Sequence, residues 1–343
     1  MSIEDIIDAY GIDVNHTKSV YVRGLRKTSE VFRVESSDAT RDLYIIDTVA
    51  GRKIACHPSI VGKRLEKLSL SAAEEAAKAI NYLALSNADI PKKAVVFEHV
   101  LRAAPGYQLL PALKKIANRR IFETYIRPKY VEKSYRNHVS RDLKTVYSDF
   151  SSIPYGRSII LIKPDTEATG ASGELAIEEA VRKSKEMGST ITDVVLYGFM
   201  ALPALKLLEK TAQKHSIRLY AFAIEDVTQL AHNNYDMTIY GLDENYYTKT
   251  GSIKRLGSII DRSTLEKCLS DFVPGCDQPG DWSSRQETLN TGGGYEKGDI
   301  KNHLQKSIDM IESLRKISGY EEWQDEIAKK ELKRLRKVLK EQS

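Results

Sequence analysis

The chain has 343 residues, 41% of them hydrophobic and 29% charged, with a formal net charge of +5. That length buries a full α/β core with an appendage, and the composition suits a soluble globular protein. No apolar run reaches the ~18 residues of a membrane span. Three cysteines (Cys56, Cys268 and Cys276) with no CxxC pair count against a disulfide scaffold or a zinc site. The acidic opening, Met1-Ser2-Ile3-Glu4-Asp5, has no signal-peptide pattern, so a cytoplasmic protein is expected.

In chain order, residues 1–65 carry three short β-branched and aromatic runs, around residues 19–22, 31–34 and 43–46, read as a β-rich arm. His57 is read as structural. Residues 71–87 have helical spacing, with Ser71 as the expected cap and Glu74 three residues on. Ala94–His99 is a short apolar strand that runs into Leu101-Arg102-Ala103-Ala104-Pro105-Gly106 and then an apolar helix. Residues 117–150 are rich in Arg, Lys and Tyr, including Arg119, Arg120, Arg127, Lys129, Lys133 and Arg136, and hold two strand-like runs.

The most informative stretch follows. Ile159-Ile160-Leu161-Ile162 is a buried-strand run. Lys163-Pro164-Asp165-Thr166-Glu167-Ala168-Thr169-Gly170-Ala171-Ser172 is a tight polar loop, and an amphipathic helix comes next. Strand, small polar loop and helix present backbone N–H groups and a helix N-terminus to an anion. Two further strands, at 191–197 and 217–224, alternate with a helix opened by Leu202-Pro203. The alternation predicts an α/β fold with a doubly wound, mostly parallel sheet, whose ligand loops sit at the carboxyl ends of the strands. Residues 66–250 form the expected core. Residues 251–343 form a loop-rich, then helical, extension. In it, Thr291-Gly292-Gly293-Gly294-Tyr295 reads as a linker, and the basic last helix reads as a solvated packing face.

Two segments carry a family resemblance. Ala168-Thr169-Gly170-Ala171-Ser172 resembles the phosphate loop of type I phosphoribosyltransferases, nearest the uracil type. Leu101-Arg102-Ala103-Ala104 resembles the same family's diphosphate loop, with Ala104 where glycine is usual. The resemblance implies an enzyme that binds 5-phosphoribosyl-1-pyrophosphate (PRPP) and transfers phosphoribose to a nucleobase, releasing pyrophosphate. It implies PRPP contacts at Arg102, Ala103, Arg127, Asp165, Thr166, Glu167, Ala168, Thr169, Gly170, Ala171 and Ser172, with Asp165 and Arg102 central to catalysis. It implies base contacts at Ile239, Tyr240, Gly241, Leu242 and Asp243. It also implies magnesium (Mg2+) carried on PRPP rather than by a dedicated protein site, and a homodimer. The alternative is a catalytically inactive PRPP or nucleotide sensor of the same fold. Nucleic acid is a possible partner but not the favoured one.

Overall fold

In a computed structural model of the chain, residues 2–10, 12, 14–35, 39–86, 92–131, 142–240, 250, 258–277, 279, 281–317 and 320–342 are described. A nine-stranded sheet organises them. In chain order its strands are β1 (Thr17–Ser19), β2 (Glu30–Val34), β3 (Asp42–Asp47), β4 (Ala94–Val100), β5 (Ile121–Tyr130), β6 (Leu143–Asp149), β7 (Ser158–Pro164), β8 (Thr190–Gly198) and β9 (Arg218–Ile224). Their spatial order is β1-β2-β3-β9-β8-β7-β4-β5-β6. The six strands from β3 through β5 run parallel. β1 and β2 at one edge, and β6 at the other, pair antiparallel.

The central strands are buried on both faces, as continuous runs such as Ile159-Ile160-Leu161-Ile162 demand. Alternate residues feed two cores: Ile160 and Ile162 face one, Ile159 and Leu161 the other. The first core holds α1 (Ile3–Tyr10), α2 (Val49–Cys56), α3 (Gly62–Leu83), α4 (Leu109–Ile116) and the C-terminal helices. The second holds α5 (Ala171–Glu186) and α6 (Leu202–Lys214). Helices on both faces make the sheet doubly wound, as expected.

Several local expectations change. The three N-terminal strands are not a separate arm; they continue the central sheet through the β3–β9 pairing. Ser71 is not a cap but lies inside α3, which begins at Gly62. Glu74 instead pairs with Arg26 and Lys115, each at 2.8 Å. The expected end of that helix, residues 87–91, lies outside the described residues, as do Lys133 and Arg136. His57 is structural: its Nδ1 meets Glu331 Oε2 at 3.0 Å and ties the last helix to the core.

The extension contains α7 (Arg262–Cys268), the strands β10 (Thr288–Asn290) and β11 (Tyr295–Lys297), α8 (Ile300–Leu314) and α9 (Glu322–Glu341). The glycine run is not a linker. It is the turn of the β10–β11 hairpin, closed by Thr291 N donating to Gly294 O at 3.0 Å. Gly292 has φ +91°, and a Cβ there would stand 2.2 Å from Tyr147 Cδ1, so the turn packs closely on β6. Among the described residues no helix is long and apolar enough to cross a membrane.

Candidate functional site

Strand order locates the site. From β4 the chain passes through α4 to β5 on one side; from β7 it passes through α5 and α6 to β8 and β9 on the other. β4 and β7 are neighbours, so the winding reverses between them. Open α/β sheets bind ligands in the crevice at such a switch point, beyond the carboxyl ends of the strands. Both loops singled out in the sequence leave the sheet there: Leu101–Ala103 after β4, and Asp165–Gly170 after β7.

The two loops share a cavity of about 230 Å³, lined by Leu101, Arg102 and Ala103 from the first and Asp165, Thr166, Ala168 and Ser172 at the second. Asp165 Oδ1 accepts from Thr166 N at 2.8 Å. Thr166 Oγ1 hydrogen-bonds the hydroxyl of buried Tyr107. Thr169 Oγ1 accepts from Ala171 N at 3.3 Å, and Gly170 turns the chain into α5 at φ +83°. A Cβ at Gly170 would stand 3.0 Å from Ala204 Cα, so any side chain there is crowded as well as strained at this φ. The first turn of α5, from Ala171, then presents N–H groups that have no partner within the helix.

Beneath this loop lies a charged cluster that sequence reading missed. Lys163 stands near the end of β7, Asp165 and Glu167 follow it two and four residues on, and Glu98 stands on the adjoining β4. Lys163 is fully buried, bonds Glu167, and has its Nζ 3.8 Å from Asp165 Oδ2. Burial opposes its charge, but Glu167 and Asp165 together outweigh burial and raise its pKa. Burial pushes Asp165 up to about 7, with Glu167 adding to the rise and Lys163 opposing it. Burial pushes Glu98 up to about 8, against the pull of Lys163. Neither Glu98 carboxyl oxygen has a hydrogen-bond partner among the described residues. The signal for this cluster was legible: a lysine inside an otherwise apolar strand, with acids two and four residues on.

Glu167, expected to contact PRPP, faces inward instead. It is 2% exposed, bonds Lys163, and packs so tightly under the first turn of α5 that a Cβ at Gly173 would lie 2.6 Å from its carboxylate. An acid below a helix N-terminus complements the helix dipole.

A wider cleft of about 790 Å³ continues from the cavity, between the β5–β6 hairpin and α8. Arg102 and Arg127 both line it. Glu296 on β11 bonds Arg102, and its Oε1 is 3.8 Å from Arg127 Nη2. Ile239 and Tyr240, expected at the base, are instead core residues, 0% and 1% exposed. Tyr240 donates its hydroxyl to Asp226 Oδ2 at 2.6 Å and packs edge-on against Phe272. The remaining expected base contacts, Gly241, Leu242 and Asp243, lie outside the described residues. The rest of the cavity lining includes Tyr235, Met237, Asp277, Asp281, Trp282 and Ser283.

Comparison with known proteins finds no matching family model and no matching curated protein. Among solved structures, the chain is similar to Mycobacterium tuberculosis H37Rv orotate phosphoribosyltransferase in complex with PRPP, at 14% identity and TM-score 0.31, over 50% of this chain and 91% of that one. It is similar to Leishmania donovani (L.donovani) hypoxanthine-guanine phosphoribosyltransferase at 10% identity and TM-score 0.30, over 49% and 81% of the two chains. For a Staphylococcus aureus hypoxanthine phosphoribosyltransferase the values are 8%, 0.29, 48% and 75%. TM-scores of this size carry no argument, so the functional reading stands on the chain's own residues.

Proposed function

We propose that the protein binds PRPP in the β4–β7 crevice and transfers its phosphoribosyl group to a nucleobase. The observation that carries this reading is the convergence of two loops on one cavity at the switch point, one with an arginine, the other with a carboxylate and a helix N-terminus. Amides of the first turn of α5, with the Ser172 and Thr169 hydroxyls, would hold the 5-phosphate. Asp165 would accept hydrogen bonds from ribose hydroxyls. Arg102, joined by Arg127, would hold the diphosphate through the guanidinium fork.

In the transfer, the bond from C1 to the diphosphate oxygen breaks and its electron pair leaves with pyrophosphate. A ring nitrogen of the base forms the new bond to C1, and the nitrogen's proton departs to solvent. Positioning and charge stabilisation are the protein's share of this work. Magnesium, carried on the PRPP oxygens, would neutralise the leaving group; Asp165 is the phosphate-loop carboxylate lining the cavity that could face it. Uracil was the first candidate acceptor, but Ile239 and Tyr240 lie in the core, so support for that choice falls away. The same reading carries a homodimer, to be tested by sedimentation.

The test is pyrophosphate release from PRPP across a panel of free purine and pyrimidine bases. Release with at least one base, and its loss in Asp165→Asn, is expected. PRPP binding without release by any base would favour the sensor.

A further inference from the structure

The wider cleft beside the cavity holds cations that PRPP binding leaves unused. Apart from residues it shares with the cavity, its charged lining is Arg127, Lys129, Lys144, Lys297, Lys306 and Asp299. His303, also on the lining, adds no charge, because burial pushes its pKa down to about 3. Five cations thus meet one acid in about 790 Å³. The carboxylates Asp277 and Asp281 lie at the inner end, where cleft and cavity meet. Each accepts from a backbone N–H, that of Met237 at 2.9 Å and that of Ser283 at 3.0 Å.

The cations come from four elements: Arg127 and Lys129 from β5, Lys144 from β6, Lys297 from β11 and Lys306 from α8. Glu296 pairs with Arg102 and Arg127, but Lys129, Lys144 and Lys297 are in no ion pair among the described residues. Lys129 also stands directly opposite Lys144 in the β5–β6 register. Like charges so placed repel and weaken a sheet. An anion from outside the chain would relieve that repulsion.

We propose that this cleft binds a single strand of nucleic acid, its phosphates running between the β5–β6 hairpin and α8. Cations contributed by both walls match a row of phosphodiesters better than one phosphate group. Tyr130, on the same lining, adds an aromatic ring for an unpaired base, and a cationic groove with aromatic side chains is how single strands are held without regard to sequence. The strand's contacts are the four lysines, so its binding does not depend on PRPP as the ligand of the cavity.

The test is fluorescence anisotropy of a labelled uridine oligomer of about twelve nucleotides, titrated with the full chain at stepped salt. Saturable binding is expected. Log K should fall against log salt with a slope of about −3, from about four phosphate contacts at about 0.7 each. Replacing the opposed pair together, Lys129→Gln with Lys144→Gln, should weaken binding by about tenfold or more at low salt and reduce the slope by about 1.4. Removing a repelling pair leaves the fold intact, which urea unfolding checks. Lys333→Gln with Lys337→Gln, two exposed lysines of α9, should change nothing. PRPP affinity, read separately by calorimetry, should stay within about twofold in both variants.

No binding at low salt, equal binding by the Lys129 and Lys144 variant, or loss caused by the α9 pair instead overturns the site. So does displacement of the strand by uridine monophosphate at equal concentration, which marks a site for one free phosphate. An equal fall in strand and PRPP affinity also overturns it, because the lysines then belong to the diphosphate site. PRPP heat without strand binding leaves the proposed function standing; strand binding without PRPP heat does the reverse.

Discussion

Glu98→Gln should stabilise the protein, and by more as pH rises. Glu98 is 0% exposed, its carboxyl oxygens have no partner among the described residues, and burial pushes its pKa from the ordinary 4.5 to about 8. The folded chain therefore holds a proton that the unfolded chain has released at neutral pH. For an acid raised on folding, stability is full below the unfolded pKa and is lost as pH rises toward the folded one. At about 1.4 kcal/mol per pH unit, the 2.5 units between 4.5 and pH 7 amount to about 3 kcal/mol, while near pH 5 the cost is under about 1 kcal/mol. Glutamine keeps the shape and carries no titrating proton, so it removes this cost. Urea unfolding of both proteins at about pH 5 and about pH 7 reads the difference. The expected gain is under about 1 kcal/mol at the lower pH and about 3 at the higher. An equal effect at both pH values, or destabilisation at the higher one, would show that Glu98 is not a buried, proton-holding acid.

Other outcomes follow from the same contacts. Glu296→Gln frees Arg102 and Arg127 from a half-exposed ion pair of roughly 0.2–1 kcal/mol, so pyrophosphate should bind up to about fivefold tighter by calorimetry; weaker binding would contradict the assignment of Arg102. Gly170→Ala places a Cβ 3.0 Å from Ala204 Cα at a φ of +83°. It should cost about 1–2 kcal/mol by urea unfolding and weaken PRPP binding. Arg285→Met leaves the carbonyls of Ile54, His57, Ile60 and Pro279 without their common donor, and should lower stability by about 3 kcal/mol or more.

The parts of the molecule that were legible in the sequence are those written in local pattern. Ile159–Ile162 announces a buried strand, and Thr169-Gly170-Ala171-Ser172 announces a turn into a helix, because periodicity and turn chemistry act over a few residues. That Glu98 adds its charge to the Lys163, Asp165 and Glu167 cluster depends on β4 and β7 being neighbours, a fact of topology that neither strand states alone. Trp282 and Asp281 come to the site from more than a hundred residues downstream of the phosphate loop, in a loop-rich stretch with no period to read. Tyr240-Gly241-Leu242-Asp243 resembles the family's base-binding tail in sequence, but burial against Phe272 and a bond to Asp226 place Tyr240 in the core. The glycine run looked like a linker because flexibility is what isolated glycines suggest, yet Gly292 is needed for close packing on Tyr147.

Calorimetric titration of PRPP with magnesium into the wild-type protein and Asp165→Asn tests the central claim most directly. The account predicts saturable one-site binding by the wild type, weakened by about tenfold or more in the variant, with the variant's fold intact by circular dichroism. Absence of binding at millimolar PRPP, or equal affinity in the two proteins, would contradict it.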